Sequence, residues 1–472
     1  MTMPCAEGER PLCATPPGVP AALRTDHYYR WVVLVTLLVA YVLNFMDRWV
    51  ITILSQPIKE EMKLADWQLG LFNGFAYALL SSVLGFKLAR LAERRNRVNI
   101  ITGCMFIWSV MTALCGAASG FWHMLLLRMG VGIGEAGAMP SSHALIADYF
   151  PPRLRATAHS IYGLGLPLGG LLGMILGGVI TDHWGWRTAF VVVGLPGIAF
   201  AILLRLIVRE PPRGRYDPPP ASEEAPPASA VLSLLWRTPT SRHIIIALTL
   251  SVLIGNAGTT FLAPYLVRRF HLSYTEVALI VGGTNFLSAA FGMLTGGLLA
   301  DRLGRRDRRW YMWVPVAGVI GSILCYLAAY AQDMLVPLAL LLVPGGFLVA
   351  TYMAPSFAVL QNIVEPRMRA TTTAVAGICM SLIGMGLGPL LGGLTIDHIA
   401  AHLFAGRGLG DFATACPGGL APTGAAPVLV TACPKVLSMA TQATLLLWTP
   451  LMLWPVFHYW RAARTIRADA FF

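Results

Sequence analysis

The sequence predicts an all-α membrane protein whose helices cross the bilayer in two pseudo-symmetric bundles of six. Of the 472 residues, 56% are hydrophobic and only 12% are charged, and the mean hydropathy is +0.64. Such a chain is too apolar for a soluble globular protein and is typical of a polytopic membrane protein. Twelve apolar runs of about 20 residues, the length that spans a bilayer, follow one another. Sequence motifs that the first six runs share with the last six predict the two bundles.

The predicted spans are separated by short polar segments. In the first half they lie near 31–55, 67–89, 98–117, 121–149, 156–180 and 187–208, and in the second near 243–267, 275–300, 310–331, 334–363, 370–396 and 436–460. The bundles therefore cover 31–208 and 243–460, with an amino-terminal tail at 1–30, a linker at 209–242, a long outer loop at 397–435 and a tail at 461–472.

An even number of spans places both chain ends on one side of the membrane. Most of the 35 Lys and Arg residues fall in loops on that side, so the positive-inside rule predicts cytoplasmic termini in a cell (inner) membrane. The tail at 1–30 is polar and lacks an apolar core followed by a cleavage site, which predicts an unprocessed terminus. Because the net charge of +12 is spread over short loops, it does not indicate a nucleic-acid partner.

Two inter-span segments differ in their expected order. The linker contains EPPRGRYDPPPASEEAPPASA, which is too polar and Pro-rich to bury anything and marks a domain boundary. The outer loop at 397–435 is rich in Gly, Ala and Pro and is expected to be only partly ordered. Cys416 and Cys433 share this loop, on the side where disulfides persist, so we predict a disulfide between them. The cysteines have no zinc or haem spacing.

Three sequence motifs occur once in each half of the chain and indicate an internal duplication. Residues 152–157, PRLRAT, open the fifth span and residues 366–371, PRMRAT, open the eleventh. The same spans end in Asp182-His183 and Asp397-His398, each after a Gly-Gly pair. The loop after span two is repeated after span eight as GLLADRLGRR. Parallel repeats of six helices build transporters in which two bundles rock about a central cavity.

At these residues the chain resembles the major facilitator superfamily. The loop G-x-x-x-D-R-x-G-R-R after span eight is a signature of that superfamily, and the resemblance implies that this loop latches the cytoplasmic ends of the bundles. The first copy departs from the pattern, with Ala89 where the aspartate would stand. The predicted cytoplasmic gate comprises Arg90, Glu93, Arg94, Asp301, Arg302 and Arg305, together with Arg153, Arg155, Arg367 and Arg369.

A narrower resemblance comes from spans one and four. Asn44-Phe-Met-Asp47-Arg48 and the RMGVGIGEA sequence at 128–136 are similar to those of the Spinster branch, which includes lipid and lysolipid transporters. Organic-anion symporters of the same superfamily have similar first and fourth helices. The resemblance therefore implies a transporter and leaves small carboxylates as an alternative substrate class.

Charged residues within apolar spans mark the predicted interior. A charge in hydrocarbon costs at least about 2.5 to 3.5 kcal/mol, so it needs a partner or a wet cavity. Asp47 and Arg128 lie at similar depths, roughly 12 and 10 Å below the outer surface at the helical rise per residue. We therefore predict an ion pair between them, which either opens when Arg128 engages a ligand or statically holds span one to span four.

Glu135 lies seven residues after Arg128 on the same helical face, about 10 Å further along the axis. It has no obvious cation at its own depth, and an unpaired buried carboxyl favours its protonated form, which makes Glu135 a candidate proton site. Pro140 frees the carbonyl of Ala136 and predicts a kink beside it. His143, further along, either relays protons or bonds a neighbouring backbone group.

The second half carries no charge in the predicted membrane interior. The candidate cavity-lining residues are Asn256, Tyr265, Asn285 and Tyr352 there, and Asn44, Tyr77, His143 and Tyr162 in the first half. For each of the second-half residues the alternative role is helix packing. A charged first bundle facing an apolar, aromatic second bundle suits an amphipathic substrate better than a sugar.

These observations predict a secondary transporter, driven by protons, of an amphipathic organic anion or lysolipid-like substrate. The alternatives are a proton symporter of small aromatic carboxylates and a transport-inactive membrane sensor on the same fold. No Walker loop, catalytic serine arrangement or metal cluster is present in the sequence, so we expect neither an enzyme nor a cofactor. The expected partners are membrane lipids and the substrate, and the expected state is a monomer.

Overall fold

The computed structural model describes residues 26–213, 215–216, 227–365 and 368–469. Within these ranges the chain forms helices and no strand. The first half contains α1 (Asp26–Met62), α2 (Asp66–Gly70), α3 (Ala76–Arg94), α4 (Arg97–Cys115), α5 (Phe121–Glu135), α6 (Ala138–Tyr149), α7 (Pro152–Gly163) and α8 (Gly165–Ile207). A π-helical turn, Leu71–Phe75, joins α2 to α3.

The second half repeats this order after a short extra helix. It contains α9 (Ala228–Arg237), α10 (Pro239–Phe270), α11 (Tyr274–Gly304), α12 (Trp310–Tyr330), α13 (Leu335–Ala350), α14 (Met353–Ile363), α15 (Arg369–Ile378), α16 (Gly386–Ala405), α17 (Phe412–Ala415), α18 (Pro427–Leu451) and α19 (Leu453–Asp469). A second π-helical turn, Cys379–Met385, joins α15 to α16.

In the described part of the chain, nine helical stretches are long and apolar enough to cross a membrane. One of them, Thr157–Ile207, is 51 residues long and is interrupted at Gly185, where φ is 82° and the helix cannot continue. This stretch covers two predicted spans, 156–180 and 187–208. The predicted spans at 67–89 and 121–149 lie on shorter, interrupted helices. The number of twelve crossings therefore stays a prediction.

Proline residues explain two breaks in the helices, one in each half of the chain. The helix of span four breaks after Glu135 and resumes at Ala138, two residues before Pro140, where the sequence predicts a kink. The same break recurs in the second half between Ala350 and Met353, two residues before Pro355. The break places Glu135 at the end of a helix rather than inside one.

The ends of the long helices form two opposite faces of the molecule. The face that carries the described chain ends, Asp26 and Asp469, is the terminal face, and the opposite one is the distal face. On the terminal face, the Tyr29 hydroxyl donates to the Ile207 carbonyl (2.7 Å) and Thr240 donates to Asp469. The distal face carries the carboxyl-terminal ends of α1, α10 and α16 and the interruption of α8 at Gly185.

The linker buries more than the sequence predicts. Helix α9 lies within it, and Val231 and Leu235 on its inner side are each 1% exposed, packed with Ile244 of α10. At the other end of the linker, Glu210 pairs with Arg97 at 2.6 Å. The expectation that this segment buries nothing is therefore wrong at both of its ends, because a short amphipathic helix and one carboxylate are enough to attach it. Residues 214 and 217–226 lie outside the described part.

The outer loop is described throughout, in contrast to the expected partial order. Phe412 of α17 is buried and packs edge to face on Phe404 of α16, with ring centroids 5.4 Å apart. Cys416 and Cys433, the two cysteines that the sequence singles out, form a disulfide with their Cα atoms 5.6 Å apart. The aromatic contact and the disulfide attach this segment to α16 and α18.

Candidate functional site

The charged residues predicted to mark the interior are all buried in the first bundle. Asp47 on α1 is 2% exposed, Arg128 on α5 is 1% exposed and Glu135 at the end of α5 is 7% exposed. Around them the helices are apolar, so each charge depends on the few polar atoms within reach.

The predicted ion pair between Asp47 and Arg128 is not formed in this conformation. Asp47 Oδ2 instead accepts a hydrogen bond from the Thr112 hydroxyl of α4 at 3.2 Å. Among the described residues, Asp47 Oδ1 and the Nε and Nη1 atoms of Arg128 are buried without a hydrogen-bond partner. Equal depth along two helices does not fix the direction in which each side chain points, which is why the prediction fails. The arginine is left with unused donors.

Glu135 is held by a tyrosine from α3. The Tyr77 hydroxyl donates to Glu135 Oε2 at 2.6 Å, while Glu135 Oε1 has no hydrogen-bond partner among the described residues. The Nδ2 atom of Asn44 on α1 is likewise buried and unpartnered. The carboxyl group of Glu135 therefore retains a free acceptor in an apolar surrounding.

Arg48 is the cation that sequence reasoning missed. Its guanidinium lies 4.4 Å from the ring centroid of Tyr77, the residue that donates to Glu135. The expectation that Glu135 has no cation near its depth is therefore wrong. Arg48 follows Asn44 by four residues, and this i, i+4 spacing on one helical face was the available signal. Its Nη2 atom also contacts Met385 Sδ at 3.4 Å, which connects the first bundle to the π-helical turn of the second.

His143 pairs with another histidine rather than with a backbone group. Its Nδ1 atom lies 2.9 Å from Nδ1 of His159 on α7, and its ring packs edge to face on Tyr162 with centroids 5.3 Å apart. Tyr162 in turn stacks on Tyr41 of α1, with centroids 4.3 Å apart. These aromatic rings connect α1, α6 and α7 on the terminal side of the charged residues.

Among the described residues, a mostly apolar cavity of about 90 Å³ lies in the second bundle, and another of about 200 Å³ lies between the two bundles. Asn285, Ser288 and Tyr326 line both of them, and the larger one also reaches Trp49 and Met174 of the first bundle. The Nδ2 atom of Asn285 is buried without a partner among the described residues. Asn285 is thus a cavity residue with a free donor.

The other second-half candidates line neither of these cavities. Asn256 donates to the Val252 carbonyl of its own helix at 2.8 Å. Tyr265 is fully buried, and Tyr352 packs against Tyr459 with ring centroids 6.2 Å apart. Packing is the alternative role that the sequence left open for these residues.

A buried ionic network closes the distal face between the bundles, and sequence reasoning did not find it. Asp66, at the start of α2, pairs with Lys59 Nζ at 2.5 Å and with Arg268 Nη2 of α10 at 2.6 Å. Arg268 Nε also donates to Gln56 Oε1 at 2.8 Å. The side chains of Lys59, Asp66 and Arg268 are at most 3% exposed. The available signal for this network was that Lys59, Asp66 and Arg268 follow or precede predicted spans whose ends lie on the same side of the membrane.

The repeated Asp-His sequences cap helices of the opposite bundle. Asp397 at the distal end of α16 accepts from the backbone N–H groups of Asp66 (3.0 Å) and Trp67 (2.8 Å), at the start of α2. Asp182 on α8 accepts in the same way from Tyr274 (3.0 Å) and Thr275 (2.8 Å), at the start of α11. A carboxylate suits this position because the first N–H groups of a helix have no partner within it.

On the terminal face, the described gate residues bond within their own bundles. Tyr311 donates to Asp301 at 2.8 Å, Arg155 Nε donates to the carbonyls of Ala147 and Phe150, and Arg369 Nε donates to the Gln361 carbonyl. No hydrogen bond or ion pair from Arg94, Arg302 or Arg305 to the other bundle is seen among the described side chains. The side chains of Arg90, Glu93 and Arg153, and residue Arg367, lie outside the described part.

The loop before α12 also stays within the second bundle. Asp307 accepts a hydrogen bond from the backbone N–H of Arg309 and pairs with the Arg467 guanidinium at 2.7 Å. The backbone hydrogen bond and the guanidinium together hold the pKa of Asp307 below its usual range. Polar contacts between the bundles are found on the distal face, between Asp397 and the start of α2, and at mid-depth, between Ser82 and Ser381.

Comparisons with known proteins agree with this architecture. The sequence model of the Major Facilitator Superfamily matches residues 37–389. An MFS-type efflux pump of Mycolicibacterium smegmatis is 31% identical over 398 residues, which are 82% of this chain and 90% of the pump. The sphingosine-1-phosphate transporter SPNS2 of Danio rerio is 26% identical over 382 residues, which are 76% of this chain and 74% of that protein.

A solved structure is similar over nearly the whole chain. It is a bacterial homolog of the human lysosomal transporter Spinster in an inward-facing and unoccupied conformation, 32% identical, with a TM-score of 0.88, covering 94% of this chain and 99% of that one. The prediction of an all-α membrane fold of the major facilitator type is confirmed. The chain belongs to the Major Facilitator Superfamily, in its Spinster branch, and is a membrane transporter rather than an enzyme.

Proposed function

We propose that the protein is a proton-coupled secondary transporter of an amphipathic organic anion, such as a lysolipid, that works by alternating access. The observation that carries this proposal is the buried guanidinium of Arg128, whose Nε and Nη1 atoms have no partner among the described residues. A buried cation with unused donors is costly on its own and becomes favourable when an anion binds it.

The head group of the substrate would meet two arginines. Arg128 offers parallel N–H donors that suit a carboxylate or phosphate. Arg48 lies on the neighbouring helix, partly buried between the bundles. Together they give the first bundle two cations, against the carboxyl groups of Asp47 and Glu135.

The body of the substrate would lie in the second bundle. The cavity of about 90 Å³ there is lined mainly by apolar side chains such as Leu262, Ile323 and Leu342. The larger cavity reaches Trp49 on α1, one residue after Arg48. This proximity supports an elongated molecule with its charged end at the arginines and its chain among the second-bundle helices. The name of the Danio rerio relative, a sphingosine-1-phosphate transporter, is in accord with such a substrate.

Proton coupling is proposed through Glu135 and Asp47. Each has a buried carboxyl oxygen without a hydrogen-bond donor among the described residues. A proton on either group removes one negative charge that competes with the substrate for the arginines. By linkage, protonation and anion binding then strengthen each other by the same factor. The anion should therefore bind more tightly as the pH falls.

Orientation follows from the charge distribution. We propose that the terminal face is cytoplasmic in the cell (inner) membrane, because most Lys and Arg residues lie in its loops. The similarity to a bacterial Spinster homolog solved in an inward-facing conformation supports the proposal that this conformation also faces the cytoplasm.

Counterflow in proteoliposomes tests the function. The wild-type protein should exchange labelled lysolipid and be stabilised by lysolipid in a thermal-shift assay, whereas Arg128→Ala should lose both. Arg461→Ala, which removes an exposed arginine on α19, is the matched control and should behave as wild type. Stabilisation by millimolar aromatic acids but not by lysolipids would instead support the small-carboxylate alternative. Binding without counterflow would support the sensor.

A further inference from the structure

Two histidines on the distal end of α16 face each other through the same ring atom. His398 and His402 are four residues apart on one helix, and both side chains are exposed. Their Nε2 atoms are 3.1 Å apart, and the ring planes meet at 81°. This i, i+4 spacing places two imidazoles on one helical face, the arrangement with which helical zinc sites are built.

The separation of the two Nε2 atoms fits a shared metal ion. With a metal to nitrogen bond of about 2.0 to 2.1 Å, atoms 3.1 Å apart subtend an angle of about 98° at the metal. That angle lies between the values of octahedral or square-planar and tetrahedral geometry. Both Nε2 lone pairs are available when each ring carries its proton on Nδ1.

A hydrogen bond between the rings is the alternative reading, and it requires opposite tautomers on the two residues. Because both side chains are exposed, such a bond exchanges contacts with water for a contact of similar strength and adds little stability. A metal ion gains two nitrogen ligands at once, without moving the helix.

Other histidine pairs in the described part of the chain differ from this one. His143 and His159, and likewise His243 and His458, meet through Nδ1 across two helices and are partly buried. His398 and His402 combine exposure, a single helix and converging Nε2 atoms. Asp411 lines the same open depression as His402 and adds negative charge beside it.

We propose that His398 and His402 form a binding site for a borderline transition-metal ion of the Cu²⁺, Ni²⁺ and Zn²⁺ class. Imidazole suits these ions, whereas Mg²⁺ and Ca²⁺ prefer oxygen ligands, and affinity should rise from Ni²⁺ to Cu²⁺. Water completes the coordination, because the protein supplies two nitrogens from one side. The site is separate from Arg128 and Glu135 and does not depend on the proposed transport function.

Copper binding by the full chain, purified without a polyhistidine tag, tests the site. Titration calorimetry should show one Cu²⁺ site, and electron paramagnetic resonance should show two nitrogen ligands, with Ni²⁺ and Zn²⁺ competing. His398→Ala and His402→Ala should each weaken binding at least about tenfold, the scale that even supporting residues reach at metal sites. His402→Gln provides a second variant if His402→Ala does not fold.

His183→Ala is the matched control, because His183 is also exposed on the distal face and bonds its own helix through Nδ1. It should leave copper binding unchanged. Equal copper affinity in wild type, His398→Ala and His402→Ala would overturn the proposal, and so would a two-nitrogen signal that persists in either variant.

Discussion

Two seams join the bundles on the distal face, and they are built from the same repeat but closed differently. At the first seam, Asp397 caps α2, and the neighbouring pair of Asp66 with Arg268 is buried. At the second seam, Asp182 caps α11 with the same two backbone bonds, but Asp182 is exposed. The comparison teaches that duplication supplied both caps, whereas among the described residues a desolvated ionic network is found at the first seam and not at the second.

The helix backbones approach closely at both seams, and the approach is somewhat closer at the first. At the first seam, a Cβ atom on Gly70 would lie 2.2 Å from the Pro389 carbonyl oxygen, and one on Gly393 would lie 2.3 Å from that of Asp66. At the second seam, a Cβ atom on Gly178 would lie 2.6 Å from the Tyr274 carbonyl oxygen. The first seam therefore has close backbone contact and buried charge together, and we expect it to be the stronger seam.

Removing the arginine of the first seam should have the largest effect. Arg268→Ala leaves Asp66 with one cation and Gln56 without its donor, and breaking a buried pair in this way costs about 3 to 5 kcal/mol. We expect a clear loss of thermal stability and greater reactivity of cysteines introduced on the distal face. Arg407→Ala, an exposed arginine on the same face, is the control. An unchanged melting temperature in Arg268→Ala would contradict the ranking of the seams.

Breaking the disulfide should have the next largest effect, through the same seam. The loop that it closes packs on the network, since Gly418 lies against the Lys59 backbone. A disulfide that spans 17 residues contributes about 3 kcal/mol in the chain-entropy model. Cys416→Ser/Cys433→Ser should lower the unfolding temperature and make Lys59 more accessible to amine labelling. Unchanged labelling would show that the loop does not support the network.

Neutralising the first cap should have a smaller effect. Asp397→Asn keeps one acceptor for the N–H groups of α2 but replaces the other with an NH2 group, which leaves one backbone N–H unpartnered at a cost of about 1 to 3 kcal/mol. The expected result is a modest fall in thermal stability with transport retained. A fall as large as that of Arg268→Ala would mean that the cap, and not the buried network, dominates the seam.

The matched change at the second seam should have the smallest effect. Asp182→Asn alters an exposed cap, where solvent screening leaves less than about 1 kcal/mol. Its melting temperature should fall less than that of Asp397→Asn under the same conditions. The reverse order would show that burial does not decide the difference between the seams.

Apolar length and charge were sufficient for much of the sequence-based prediction. An apolar run must form a helix in lipid, since its backbone groups have no other partner, so the helical class could be read directly. Asp47, Arg128 and Glu135 interrupt such runs, and this position predicted the burial that the structure shows for all three. Cys416 and Cys433 were paired from their shared loop alone.

The remaining features depend on the directions of side chains, which depth does not give. Arg48 follows Asp47 directly, yet one points toward Tyr77 and the other toward Thr112. The repeat identified Asp397 as equivalent to Asp182, but its role as a cap depends on which helix begins beside it. The spacing of residues along the sequence does not show which helix of the other bundle begins beside Asp397.

The two π-helical turns have a mechanical consequence. Leu71–Phe75 and Cys379–Met385 face each other where the bundles cross, and Gly74 would place a Cβ atom 2.6 Å from the Met385 carbonyl oxygen. A π-helical turn is wider than an α-helical one and interrupts its regular ladder of bonds. We therefore expect each of the two helices to bend more easily at this turn than within its regular α-helical turns. Arg48 contacts Met385, the last residue of the second turn, so the two irregular segments meet beside one of the two arginines proposed to bind the substrate.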